Sequence, residues 1–227
     1  MIIWIIIIKF SMGRIFENVK PRFSDEDFQM VGFEPRLYRR KDIVLYNSYK
    51  KDGTGVMSNF YPCQIEYEGK TFNSAEQLLF YKDAVKWGDC FEEQFDILKE
   101  IRNCECGRDV KNNPKVKRFD KKIDERKESV LGKRGAFIDG WENCYECMML
   151  KYRDCPEFRE VLKKYKDKII VEDSFWGDNF AGCLWDNSLG LYKGINACGR
   201  AMMRVRREGL EEEKKMVEEM EMACVGA

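Results

Sequence analysis

Between Cys63 and Trp87 the side-chain period changes from two to that of a helix, and this switch restricts the fold more than any other stretch. Residues 63–67 alternate apolar and polar, Glu68-Gly69 supplies a turn, and Lys70–Phe72 resumes the alternation, which is the pattern of a β-hairpin. Ser74-Ala75-Glu76-Gln77 then reads as a capping box, with the Ser74 hydroxyl on one orphan amide and Gln77 reaching back. Leu78, Leu79, Tyr81, Val85 and Trp87 provide an apolar face, and Gly88 stops the helix. The expected architecture is α+β, a single mainly helical domain with a small antiparallel sheet.

The remaining segments fill in this outline. Ile43–Tyr46 reads as a strand and residues 50–55 as a turn signalled by Asp52-Gly53. Residues 90–101 read as a helix through Phe91, Phe95, Ile97, Leu98 and Ile101. Residues 103–140 are strongly charged and interrupted by Asn112-Asn113-Pro114 and Gly132, which predicts irregular structure with short helices. Two helices are expected over 141–152 and 156–166, around Asp154-Cys155-Pro156. A β-branched strand at 168–172, expected to join the 43–72 sheet, leads into a loop at 174–182. Residues 194–206 turn into a last core helix, and residues 211–222 form a solvated tail helix or a partner site. The cluster Arg36, Arg39, Arg40 and Lys41 reads as a solvated face or linker. With no repeat or long linker, the expected division is an extension at 1–42, one domain at 43–208 and a charged tail at 209–227.

Composition narrows the chemistry. Among 227 residues the 40 Lys and Arg balance the 40 Asp and Glu, which argues against a protein that coats nucleic acid through bulk charge. With 0 histidines, acid–base work at neutral pH must come from Glu, Asp, Lys, Tyr or Cys. The 10 cysteines read mostly as reduced core residues, since the apolar N-terminal run has neither a preceding basic region nor a cleavage site. Cys104, Cys106, Cys144 and Cys147 offer a zinc set as a second reading, although the spacing between the pairs exceeds that of common zinc ribbons. The N-terminal run is far short of a membrane span, so no membrane association is expected and the expected location is the cytoplasm.

Three segments, in order, carry a family resemblance. The first is Ser58-Asn59-Phe60-Tyr61-Pro62, followed by Glu68-Gly69-Lys70 and Ser74-Ala75-Glu76-Gln77. The second is Ile170-Val171-Glu172-Asp173-Ser174-Phe175-Trp176-Gly177-Asp178-Asn179-Phe180-Ala181-Gly182. The third is Gly194-Ile195-Asn196-Ala197-Cys198-Gly199-Arg200-Ala201-Met202-Met203-Arg204-Val205-Arg206. Together they resemble the NADAR superfamily, over about residues 43 to 208. The resemblance implies hydrolysis of a ribosyl N-glycosidic bond. The substrate would be an ADP-ribosylated base, such as guanine in nucleic acid, or a phosphoribosylamino-pyrimidine of the riboflavin pathway. No metal or redox cofactor is implied, and the partner is that small ribosyl substrate or ADP-ribosylated nucleic acid. A non-catalytic module binding ADP-ribose or a nucleotide is the alternative.

Glu76 matches the family's catalytic glutamate; a carboxylate there stabilises an oxocarbenium-like ribose and orients water. An acid at the second helical position also suits the macrodipole without any catalysis. Asp178 matches the family's acidic loop position, where a turn-making Asp is the other reading. Asn59, Phe60, Trp141, Trp176 and Asn196 are the candidate substrate contacts. Against this, the asparagines suit turns or caps, the tryptophans suit a core, and Gly194 and Gly199 suit close packing. The sequence departs from the family at Asp83, where relatives carry a lysine, and Lys86, one turn onward on nearly that face, is the candidate replacement. Ala181 stands where relatives carry a tryptophan, Gln77 where some carry histidine, and the 141–151 segment is about one turn short.

Overall fold

The computed structural model describes residues 34–225 except Tyr49 and Phe175, so the apolar N-terminal run lies outside the described residues. Chain order is β1 (Arg36–Tyr38), β2 (Ile43–Tyr46), β3 (Ile65–Tyr67), β4 (Lys70–Phe72), α1 (Ala75–Trp87), α2 (Gln94–Asn103), α3 (Gly107–Asn112), α4 (Pro114–Asp154), α5 (Pro156–Lys164), β5 (Ile169–Glu172), β6 (Leu184–Asp186), β7 (Leu191–Gly194) and α6 (Ala197–Val225). The α+β, mainly helical architecture holds.

The hairpin and first helix form for the local reasons given. Glu68 and Gly69 both take positive φ, 49° and 69°, so the two-residue turn matches the strand twist that pairs Ile65 with Phe72. Ser74 Oγ accepts from the Gln77 amide at 3.2 Å, while Gln77 Oε1 accepts from the Asn73 amide at 2.6 Å, one residue earlier than a standard box. The Gln77 amide nitrogen, fully buried, donates to Ile101 O at 2.9 Å and Cys104 O at 3.0 Å, fastening α1 to the end of α2.

Several expectations change. The 103–140 region is not irregular: α4 runs from Pro114 to Asp154 and absorbs the predicted 141–152 helix. Asn113-Pro114 starts this helix rather than breaking it. The Asn113 side chain accepts from the Lys115 and Val116 amides, and proline occupies a position that needs no donor. Val116, Phe119, Ile123 and Lys127 bury one face of its first half, a stripe hidden among charges. Gly132 does interrupt the helix, with φ 68° and ψ 166°, a kink only glycine accommodates cheaply. Helix α2 begins at Gln94 rather than residue 90. The basic cluster is no linker: β1 pairs with β7, and Arg40–Asp42 forms a 3-10 turn. The last core helix continues through the charged tail as one element.

The sheet is three separate pairings. The β3–β4 hairpin is antiparallel as expected, β1-β7-β6 is an antiparallel sheet that the sequence reading did not include, and β2 and β5, instead of joining the hairpin, pair with each other in parallel, with Ile43 opposite Ile169 and Tyr46 opposite Glu172. Strands joined through most of the domain's helices have no tight turn forcing reversal, and both are apolar enough to be covered. One core cluster gathers Tyr46, Met57, Met148, Phe158, Leu162, Ile170, Met202 and Val205; a second gathers Ile65, Phe72, Leu78, Ile97, Ile101, Phe119 and Ile123. α4 contributes to both, packing against α1 and α6.

Candidate active site

Glu76 opens α1 but does not face solvent: it is 7% exposed. Its backbone amide donates to Asn59 O at 3.0 Å, which anchors the 58–62 segment on the helix start. Lys111, from α3, brings its ammonium to 3.6 Å from Glu76 Oε1 and lies over the Phe60 ring at 5.1 Å. Gly107 covers the other side, where an added methyl would stand 2.8 Å from Glu76 Cβ, so only glycine lets α3 approach. Burial pushes the Glu76 carboxyl up, opposed by Lys111 and a hydrogen bond from Asn59, and reinforced by Asp178. Asn59 Oδ1 is a buried acceptor with no partner.

The second acidic group comes from β5 and the loop beyond it. Glu172 ends β5, its carboxylate deep, and Tyr46 donates to its Oε2 at 3.4 Å. Burial, with Asp178 and Glu76 nearby, raises the Glu172 carboxyl to about 7. Asp178 Oδ1 accepts from the amides of Phe180 at 3.2 Å and Ala181 at 2.9 Å, so it does make the turn a loop aspartate favours. Its charge also acts on both Glu76 and Glu172. The start of α1, the end of β5 and the 178–182 loop therefore converge.

Asn196 is what holds the loop and strand in register. It sits in the left-handed region at φ 57°, accepts from the Glu172 amide at 3.1 Å and donates to Ile170 O at 2.8 Å. Fully buried, its amide braces β5, which makes it a support for Glu172 rather than a substrate contact. Gly194 and Gly199 serve close packing: a methyl on Gly199 would collide with Ile170 O and the Asn196 amide, and one on Gly194 would stand 2.9 Å from Asn179 O.

Lys86 is not brought to this group. It lies ten residues, about 15 Å of helix rise, beyond Glu76, pairing with Asp139 with 61% of its side chain exposed. Asp83 is buried and pairs with Lys127 of α4 at 2.8 Å, while Asn143 donates to it at 2.8 Å. The ammonium near this position thus arrives from another helix. Asp120, about two turns before Lys127 on α4 and raised to about 7 mainly by burial and by Asp124, feels Asp83 and Glu76 as well. Trp141 donates to Ala197 O at 3.2 Å and lines an apolar cavity of about 180 Å³ with Phe180, Ile195 and Arg200. Trp176, at 44% exposure, stands at the surface.

Sequence reading missed Glu172 and Lys111. Glu172 carried a signal, an acid closing the apolar strand 169–171. Lys111 carried none, being one of many cations in a charged stretch. The four cysteines considered for zinc have separate partners: Cys104 donates to Glu100 O, Cys106 to Asp109, Cys147 to Asn143, and Cys144 lies 3.9 Å from Cys198. Among the described residues no group of metal-ligating side chains converges, and no helix is long and apolar enough to cross a membrane.

Burial and the Asp178 charge raise the Glu172 carboxyl to about 7, and burial also raises that of Glu76, so the group can supply a proton donor near neutral pH. That is the equipment of proton-assisted bond cleavage. The solved structures include the Escherichia coli protein YbiA, determined by NMR, with 19% identity, a TM-score of 0.48, and coverage of 77% of this chain and 92% of that one. The comparison with curated proteins returned no match. The NADAR domain model, a family associated with glycosidase-like hydrolysis, matches residues 45–209 and takes in α1, β5 and the 178–182 loop. With most of its length so matched, the chain belongs to the NADAR family.

Proposed function

We propose that this chain hydrolyses the C1′–N bond of a riboside, with Glu76 facing the reacting carbon and Glu172 donating a proton to the departing base. The observation that carries the reading is the burial of Glu76. An exposed acid at a helix start gains about 0.3–1 kcal/mol from the dipole, whereas this one is desolvated enough for its carboxyl to rise. A group kept at such a cost, beside an unpartnered Asn59 acceptor, suits a site that receives a polar ligand.

In the reaction the C1′–N bond breaks with its electron pair going to the base nitrogen, which takes the Glu172 proton. The oxocarbenium-like ribose is stabilised by ionised Glu76 and by Asp178. Water adds at C1′ and passes its proton to Glu76, leaving free base and a ribose hydroxyl. Asn59 Oδ1 accepts a sugar hydroxyl, Phe60 and Lys111 wall the site, and Trp141 packs on the base. The substrate is an ADP-ribosylated base, such as guanine in nucleic acid, or a phosphoribosylamino-pyrimidine. The second reading, a binding module for ADP-ribose without turnover, draws on one observation: the lysine expected in the position of Asp83 is absent.

Glu76→Gln tests the assignment, using oligonucleotides bearing ADP-ribosylated guanine and ribosylamino-pyrimidine phosphates as substrates. The single-turnover rate should fall by about 10²-fold or more while KM and melting temperature hold. A variant as fast as wild type refutes the role of Glu76. A wild type that binds ADP-ribose and cleaves neither substrate supports the binding module instead.

A further inference from the structure

Lys151 is a fully buried ammonium with no carboxylate paired to it among the described residues. It donates to Val56 O at 2.6 Å and Ser58 O at 2.7 Å, and it lies 5.5 Å from the Tyr61 ring and 4.6 Å from the Phe158 ring. Carbonyls and rings solvate a cation without neutralising it, and a buried charge left unbalanced is costly. The charges that act on Lys151 belong to two sulfurs, Cys63 and Cys155. Cys155 joins α4 to α5. Its amide donates to Lys151 O at 2.8 Å, one turn back, and the residue caps the N-terminus of α5. Cys63 follows the 58–62 segment, is fixed by its amide to Asn73 O at 3.1 Å, and packs on the same core. The two thiols lie within hydrogen-bonding reach of each other, and both are free. Cys155 is 2% exposed while Cys63 is partly exposed, so the pair opens to solvent at Cys63.

The two sulfurs are unequal. The Cys63 thiol draws the Cys155 thiol down, as do the Phe158 amide and Lys151, against burial and a Glu157 carboxylate whose Oε2 lies 3.5 Å away. Cys63 is pushed up by Cys155 and by burial, with Asp154 adding to the effect. Cys155 is therefore the sulfur that carries negative charge, with a thiol and a cation beside it. We propose that Cys63 and Cys155 are a redox-active dithiol that a peroxide converts to a disulfide. The Cys155 thiolate attacks a peroxide oxygen; an S–O bond forms, the O–O bond breaks, and the departing hydroxide takes a proton from solvent to leave as water. Cys63 then attacks the Cys155 sulfenic sulfur. The S–S bond forms, the S–O bond breaks, and hydroxide leaves with the Cys63 proton as a second water. The sulfurs lose the electron pair that the peroxide gains. A disulfide is neutral, so oxidation removes the counter-charge of Lys151, whose ammonium fastens residues 56 and 58, and it thereby acts on the segment that carries Asn59 and Phe60. The other close pair, Cys144 and Cys198 at 3.9 Å, lacks this equipment. Glu172 stands beside Cys198 in place of a cation, and Cys144 and burial push that thiol up. The dithiol stands whether or not the chain hydrolyses a riboside.

The test is oxidation of the full chain by hydrogen peroxide, followed by alkylation and non-reducing peptide mapping by mass spectrometry. Wild type is compared with Cys63→Ser, Cys155→Ser and Lys151→Met. Exposed Cys90 is the internal reference, because a reaction governed by access alone takes it first. Wild type should yield a peptide linked through Cys63 and Cys155, reversed by dithiothreitol, at least about tenfold faster than Cys90 is oxidised. Cys63→Ser should stop at a Cys155 sulfenic acid, captured by dimedone, and Cys155→Ser should leave Cys63 reduced. Lys151→Met should slow the oxidation by about tenfold or more, since fewer thiols are then ionised. Its melting curve shows whether it folds; if it does not, the Cys90 comparison and the serine variants decide. A cross-link through Cys144 and Cys198 instead, oxidation of Cys90 ahead of Cys155, or a folded Lys151→Met that oxidises at the wild-type rate overturns the proposal.

Discussion

Glu172→Gln should make the protein more stable at pH 8 and less able to turn over. The wild-type carboxyl is held at about 7 against an ordinary 4.5, first by burial and then by Asp178. Because the folded pKa lies above the unfolded one, the folded state binds the proton more tightly between those values. Stability from this group is therefore full below about 4.5 and declines as pH rises towards 7. At 1.36 kcal/mol per pH unit the ionised form costs about 3 kcal/mol at pH 8. Glutamine does not ionise and escapes that cost. Residual solvent contact and an amide needing new acceptors reduce the gain to about 1–2 kcal/mol. For a chain of this size that is roughly a 2–8 °C rise in Tm at pH 8. Near pH 5 the gain should largely vanish. Thermal or urea unfolding of both proteins at pH 5 and pH 8 measures the difference of differences. A variant whose offset from wild type is the same at both pH values, or less favourable at pH 8, refutes the argument. The activity profile is the companion readout: a protonated Glu172 as acid places the alkaline limb of the wild-type rate near pH 7, and glutamine should abolish that limb.

Two other buried charges give simpler tests. Lys127→Met strands Asp83 without its 2.8 Å partner and should cost about 3–5 kcal/mol in urea unfolding at pH 7, whereas the paired change Lys127→Met/Asp83→Leu should recover much of that loss; equal losses in both would contradict it. Lys151, fully buried, donates to Val56 O at 2.6 Å and Ser58 O at 2.7 Å, and burial lowers its pKa from 10.5 to about 8. The folded state binds fewer protons across that window, so wild-type stability from this group rises as pH goes from about 8 to 10.5. Lys151→Met should lose this slope, and parallel unfolding profiles for the two proteins would show that the ammonium is not perturbed.

What the sequence by itself determined lies within a few residues of each signal. The Glu68-Gly69 turn, the Ser74 cap, the resulting place of Glu76 at the mouth of α1, and the loop that Asp178 closes all follow from contacts within about four positions. Asn113-Pro114 was equally local, and was misread because the same residues that end one helix begin the next. The family motifs, too, are local strings whose order survives without a structure. The parallel pairing of β2 with β5 joins strands 126 residues apart in register, and no residue in either strand specifies the direction. The site's electrostatics belong to the same class. Lys111 matters because α3 sets its ammonium 3.6 Å from Glu76, and Glu172 holds its proton because folding removes it from water beside two other acids. Lys127 of α4 meets Asp83 of α1 at 2.8 Å, a pairing that only the packing of the two helices makes. Coulomb and desolvation energies depend on distance and burial in three dimensions, and only the packed tertiary structure decides either.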